Sequence, residues 1–227
     1  WSEPVQFTTN AVVDRDPVPV VFGAIRGILW IQNEGEADLG DATNGDRLVF
    51  ATWAGDGWTQ PQTLWLGPKG IFSSSFVADG AGEGHVVFDV DEDGNLDTRG
   101  DRELYLLSTM NGAWQPAFRL TNDGVEDALP VLVAPKGLPI CIWSASNSLV
   151  YARLDSWRPR PVYAEQTLAN AAPTLNAVTL PGVAALAYAA QTPSGMDIFA
   201  SFYDASLDRW SLPRQLTHDE HAESALS

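Results

Sequence analysis

Five times in this 227-residue chain a tryptophan is followed two or three residues later by proline, and then by a short strand-like stretch. The segments are "WSEPVQFT" at Trp1, "WTQPQTLW" at Trp58, "WQPAFRLT" at Trp114, "WRPRPVYA" at Trp157 and "WSLPRQLT" at Trp210. Successive tryptophans lie 57, 56, 43 and 53 residues apart. Self-similarity at such a period belongs to propeller blades or another repeat array, in which each unit buries its faces only against its neighbours.

A second motif opens each unit. "DRDPVPVVFGAIRGILWIQ", "EDALPVLVAPKGLPICIWSA" and "NAAPTLNAVTLPGVAALAYAA" run from proline through an apolar strand and a glycine turn into a second strand. "SSSFVADGAGEGHVVFDV" keeps the rhythm without the proline, and a third strand follows in "DRLVFATW", "DRELYLLS", "SLVYARL" and "DIFASFY". Each unit therefore reads as four β-branched or aromatic strands separated by turn residues, with no helical periodicity. The expectation is an all-β fold, a β-propeller of four-stranded antiparallel blades. A sandwich would not require this recurrence. In this reading residues 1–8 are the outer strand of a preceding blade. Four blades then span 9–64, 65–120, 121–163 and 164–217, and 218–227 begin another or form a tail. The expected whole is a fragment of a longer propeller, or a chain completed by a partner. Each tryptophan is expected to pack between blades and each proline to protect an outer edge strand.

Composition narrows the function classes. With 29 acidic against 13 basic residues, the formal charge of −16 repels nucleic-acid phosphate and anionic membrane and favours cations or neutral ligands. No apolar run approaches the roughly 18–20 residues needed to cross a bilayer. The single cysteine, Cys141 in "LPICIWSA", has no internal partner and reads as a small buried side chain. An extracellular chain without disulfides must gain rigidity elsewhere, as from bound metal.

The stretch "DVDEDGNLDTRGDR" offers such a metal site. Asp89, Asp91, Asp93, Gly94 and Asp97 spell D-x-D-x-D-G-x-x-D, with Asn95 supplying a carbonyl. Alternating carboxylates on a tight loop converge on one hard cation, and four aspartates so close repel one another without it. Those nine residues resemble the calcium-binding hairpin loops in the propellers of integrin α chains, which implies calcium bound by Asp89, Asp91, Asp93, Asn95 and Asp97. The preceding unit carries "NEGEADLGDATNGDR" at the equivalent hairpin, and Gly45-Asp46-Arg47 aligns with Gly100-Asp101-Arg102. Its Glu34, Glu36, Asp38 and Asp41 lack the same spacing and read equally as a second metal loop or a solvated one. The Arg99-Gly100-Asp101 tripeptide reads as a shared Gly-Asp turn rather than an adhesion signal.

"WAGDGW", "TMNGAW" and "YDASLDRW" resemble degenerate Asp boxes, the S-x-D-x-G-x-x-W hairpins of sialidase-like propellers of bacterial type. The resemblance implies blade structure. A sialidase also needs an arginine triad, a tyrosine nucleophile and its carboxylate partner, and the eleven arginines form no such pattern with Tyr and Glu. His85 reads as a satisfied core residue, and His218 and His221 as part of an exposed tail. The expected role is thus non-enzymatic: a calcium-stabilised recognition or scaffold module, extracellular or on the cell surface, binding a glycan or protein. The alternatives are a sialidase-like glycoside hydrolase completed outside this chain, and a structural subunit of a surface assembly.

Overall fold

The computed structural model describes residues 3, 4, 6–33, 35, 38–67, 69–146, 148–162, 174–193 and 195–218. Trp1, Glu34, Glu36, His221, the linking residues 163–173 and the terminal residues 219–227 lie outside the described residues.

The chain forms four antiparallel sheets, one after another. The first orders β1 (Val13–Phe22), β2 (Ile25–Asn33), β3 (Asp46–Thr52) and β4 (Gln62–Leu66). The second orders β5 (Ile71–Ala78), β6 (Gly84–Asp91), β7 (Arg102–Met110) and β8 (Ala113–Trp114), with β9 (Phe118–Arg119) also on β7. The third is β10 (Asp127–Val133), β11 (Ile140–Ala145), β12 (Ser148–Arg153) and β13 (Arg160–Pro161). The fourth is β14 (Leu175–Leu180), β15 (Val183–Thr192), β16 (Gly195–Asp204) and β17 (Arg209–Trp210), with β18 (Arg214–Gln215) also on β16. First strands are neighbours in chain order, β1 beside β5, β5 beside β10, β10 beside β14. These are propeller blades with the first strand innermost. Among the described residues the only helical feature is a 3-10 turn at Pro135–Gly137, and no helix is long and apolar enough to cross a membrane.

Alternation along the second strands explains the stacking. On β6, Val86, Phe88 and Val90 enter a core with Val20, Phe22, Leu29 and Leu48 of the first sheet. The intervening Val87 points the other way, joining Leu132, Cys141 and Trp143 of the third. On β11, Cys141 and Trp143 face the second sheet, while Ile140 and Ile142 meet Leu186 and Tyr188 of the fourth. A strand buried on both faces reads as a continuous apolar run, which is what "HVVFDV" and "PICIWSA" display. Cys141 is a free, buried thiol, and burial pushes its pKa well up.

The repeat tryptophans fill the seams. Trp114 lies edge-on to Phe22 and Phe50, Trp157 stacks on Trp143 at 5.1 Å, and Trp210 packs against Tyr151 and Tyr203. Trp114 and Trp210 thus meet the preceding blade, while Trp157 stacks on a ring of its own sheet. Trp58, on the outer flank of the first sheet, meets Phe7 and is 42 % exposed. The outer strands are short because the motif proline has no amide to give the ladder. In the second and fourth sheets the outer strand breaks into two pieces around Pro116 and Pro213.

Candidate metal centre

The β6–β7 hairpin carries the acidic loop at the end of the sheet where β5 begins. The Asp91 amide donates to Gly70 O (3.0 Å), and Asp91 pairs across the ladder with Arg102. At that point the carboxylates of Asp91, Asp93 and Asp101 converge, with oxygens all within 4.8 Å of one another. Asp91 is 1 % exposed. Its Oδ1 accepts from the Gly94 amide (2.6 Å), while its Oδ2 is buried and accepts no hydrogen bond. Asp101 Oδ2 accepts from the Asp93 amide (2.9 Å), and its Oδ1 is likewise buried and unpaired. Asp93 Oδ1 caps the turn through the Asn95 amide (2.7 Å). Gly94 has φ +72, a left-handed conformation that lets the chain turn back so sharply.

Three carboxylates in one niche must be neutralised, and the nearest cation is engaged elsewhere. The Arg102 guanidinium lies 3.5 Å from the centre of the Phe72 ring and bonds Glu126 at 3.0 Å. Burial therefore raises the Asp91 pKa, helped by the charges of Asp101 and Asp93 and opposed by the Gly94 amide and Arg102. All-oxygen donors with bare, buried lone pairs suit a hard divalent cation, and calcium accepts the irregular geometry of such a loop.

The other residues of the nine-residue pattern lie differently. Asp89 is fully buried in β6, where Oδ1 accepts from the Ser73 amide and hydroxyl (both 2.7 Å) and Oδ2 from the Leu129 amide (3.4 Å). It ties β5 to β10, and burial raises its pKa. Asn95 Oδ1 accepts from the Asp97 amide (3.3 Å), and its carbonyl accepts from the Thr98 amide (2.9 Å) and hydroxyl (2.8 Å). Asp97 is exposed and outside the converging trio. The sequence pattern pointed to Asp91 and Asp93. Asp101 joins only because the hairpin returns, and its alignment with Asp46 was the available signal. Within Arg99-Gly100-Asp101 the aspartate faces the loop, not solvent.

The sister hairpin solves the same charge problem internally. Asp46, fully buried, accepts from Arg15 Nη2 (2.7 Å), the Ile71 amide (2.8 Å), the Gly40 amide (3.1 Å) and Asn33 Nδ2 (2.9 Å). Asp41 caps its own turn through the Thr43 and Asn44 amides, which lower its pKa. Asp38 is exposed, and no acidic group of three converges in this loop among the described residues. The two hairpins touch, since a Cβ at Gly94 would lie 2.9 Å from the Ala42 amide nitrogen.

Sequence reasoning did not anticipate one further cluster. The Tyr105 hydroxyl donates to Glu92, whose carboxylate also meets Lys69 Nζ (2.5 Å) and lies 3.9 Å from Arg119 Nη1. The Tyr105 ring packs against Trp65 and Phe88, and burial, with Glu92, pushes its pKa up to about 12. That direction opposes the phenolate a tyrosine nucleophile requires. His85 bonds Ser108 Oγ (2.9 Å) and Asp79 (3.2 Å). On the flank of the first sheet a cleft of about 240 Å³ is lined by Phe7, Asp14, Arg15, Ile28 and Trp30 among others.

No family model matches the chain, and no curated protein matches it significantly. Solved structures do. The NanB sialidase from Streptococcus pneumoniae superposes with TM-score 0.66 at 12% identity, covering 90% of this chain and 52% of that one. A Hadza microbial sialidase gives TM-score 0.56 at 11% identity, covering 87% and 46%. A family 117 glycoside hydrolase from the marine bacterium Zobellia galactanivorans gives 0.52 at 11%, covering 88% and 68%. What is shared at these identities is the fold. The blades are those of a β-propeller found in sialidases and other glycoside hydrolases, and the chain spans about half the length of the two sialidases.

Proposed function

We propose that this chain is part of a non-enzymatic recognition or scaffold propeller, working outside the cell or on its surface, in which calcium fixes the Asp91–Asp93–Asp101 hairpin. One observation carries the reading: three convergent carboxylates, two of them (Asp91 and Asp101) each with a buried, unpaired oxygen, while the adjacent arginine is committed to Glu126 and Phe72. A cation there replaces repulsion with coordination and anchors the loop between the 38–46 hairpin and the link into the third sheet.

A glycan is the favoured ligand class. The solved propellers this chain resembles are sialidases and glycoside hydrolases, and a strongly acidic surface suits a neutral ligand better than an anion. The first-sheet cleft, lined by Phe7 and Trp30 together with Asp14 and Arg15, has the mix of ring and polar groups that binds sugars. The chain spans about half of each sialidase, and in this proposal any further blades come from a continuation of the chain or from a partner. A glycan array, probed with and without calcium, tests the reading. Saturable binding weakened by Asp91→Asn supports it, and binding to no glycan class removes the ligand claim.

The sialidase-like alternative has one specific observation behind it, the Tyr105–Glu92 pair beside Arg119. The raised phenol and its aromatic packing speak for a structural role. Hydrolysis of a fluorogenic sialoside that disappears in Tyr105→Phe would reverse the order of the two readings.

A further inference from the structure

A second acidic niche lies at the seam of the second and third sheets, and it does not depend on the hairpin site. Glu103 sits at the start of β7, Asp127 opens β10, and Asp123 belongs to the link between them. Their carboxylate oxygens lie within 4.8 Å of one another. Two stretches, one at 103 and one at 123–127, are held together there, for the Leu104 amide donates to Thr121 Oγ1 (2.9 Å) and the Leu120 amide to Leu104 O (2.7 Å).

The hydrogen bonding around the niche is incomplete on its inner side. Glu103 is 2 % exposed. Its Oε1 receives Arg119 Nη2 (3.0 Å) and the Asp123 amide (3.2 Å), while Oε2 is buried and receives nothing. Asp127 is also 2 % exposed. Its Oδ1 receives the Trp143 indole N–H (2.7 Å), while Oδ2 is buried and unpaired. Asp123 closes the group from the exposed side, with Oδ1 on the Val125 amide (2.9 Å). The guanidinium of Arg119 meets Glu103 of the three, and it is shared with Glu92. Burial pushes Asp127 up to about 6, against the Trp143 indole, with Asp123 and Glu103 adding to the rise. Buried carboxylate oxygens without donors are stabilised by a metal ion, and an all-oxygen set with one ligand open to water suits a calcium-type cation better than one demanding strict octahedral geometry.

We propose that Glu103, Asp123 and Asp127 form a second hard-cation site, of calcium type, that clamps the second blade to the third. The indole bonded to Asp127 makes the site optically addressable. Terbium, which replaces calcium at oxygen sites, would sit beside Trp143 and emit when tryptophan is excited. The experiment uses the full chain carrying Asp93→Asn and Asp101→Asn, which silences the hairpin, with circular dichroism confirming the β fold. Saturable sensitised emission is expected in that background, displaced by calcium. Adding Asp123→Asn, an exposed loop change that leaves the core intact, should weaken terbium affinity by about tenfold or more, since affinity follows the count of charged ligands. Glu103→Gln should do the same. Emission absent from the hairpin-silenced protein, or unchanged by Asp123→Asn and Glu103→Gln, would overturn the proposal. Neither result bears on whether the hairpin trio binds calcium.

Discussion

Two aspartates at matching hairpin positions meet opposite fates. Asp46 receives a guanidinium, two backbone amides and a side-chain amide, whereas Asp101 keeps one oxygen bare beside two more carboxylates. The first is a finished internal salt bridge, and replacing it leaves Arg15 without its buried partner. Asp46→Asn should therefore cost about 3 kcal/mol, read from urea denaturation. Glu83 makes a pH-dependent contribution of the opposite kind to a bare carboxylate. It accepts from Thr109 Oγ1 (2.5 Å) and from the Asn111 (2.7 Å) and Gly112 (3.2 Å) amides, and these bonds lower its pKa below the usual 4.5. The unfolded chain then binds the proton more tightly than the folded one. The stabilisation is present above about pH 4.5 and is lost as pH falls through the lower folded-state value. Glu83→Gln should be less stable than the parent at neutral pH, and the gap should close in acid, as denaturation series at several pH values would reveal. Of these details the sequence carried the alternating aspartates and little more. Asp91 and Asp93 stand two residues apart on one loop, so their meeting was legible. Asp101, Glu103 and Asp127 meet partners only through strand pairing and blade stacking, which no local spacing encodes.

At the scale of elements, blades touch through turns as well as through cores. Gly80, in the β5–β6 turn, donates its amide to Gly137 O (2.9 Å), and a Cβ on Gly137 would lie 2.5 Å from Gly80 Cα. Gly137 also has φ +75. Gly137→Ala should destabilise the protein by about 2–4 kcal/mol, from left-handed strain plus overpacking against backbone that cannot yield, and a thermal melt would register it. Core strands obey the cavity rule. Phe88→Ala, between Trp65 and Tyr105, should cost about 3–5 kcal/mol by the same assay. The strand–glycine–strand rhythm of the sequence corresponds to β1–β2, β5–β6, β10–β11 and β14–β15 because those strands alternate into two cores and their turns need left-handed residues. The first strands were harder to read. Each of the first three carries a register break, and Asp16 and Leu129, which precede Pro17 and Pro130, adopt left-handed φ of 52 and 56. In β1 and β10 the break falls at a proline inside a paired strand, whereas β5 has one without a proline, and which amides reach Asp89 follows only from the assembled sheet.

For the whole molecule, each blade is buried on both faces only by having neighbours, so stability is shared through the seams rather than held within one sheet. Two acidic clusters, the Asp91 hairpin and the Glu103–Asp127 seam, lie where the second blade meets its surroundings. The propeller itself was legible from the tryptophan–proline recurrence, because that recurrence reports the spacing of seams. The ligand was not, because propellers carry many functions and recognition lies in loops that do not repeat. Cation binding links these scales, since any metal that binds the folded state alone stabilises every seam coupled to it. The most direct test is calorimetric titration of calcium into chelator-stripped protein, paired with melting curves, for the parent and for Asp91→Asn/Asp93→Asn. The parent should give saturable heat and melt higher by about 5–10 °C when calcium reaches about a hundred times its Kd, and the variant should lose the hairpin's share of both. Identical titrations for parent and variant, or no heat and no shift in the parent, would contradict a calcium-bound hairpin and leave a solvated acidic loop in its place.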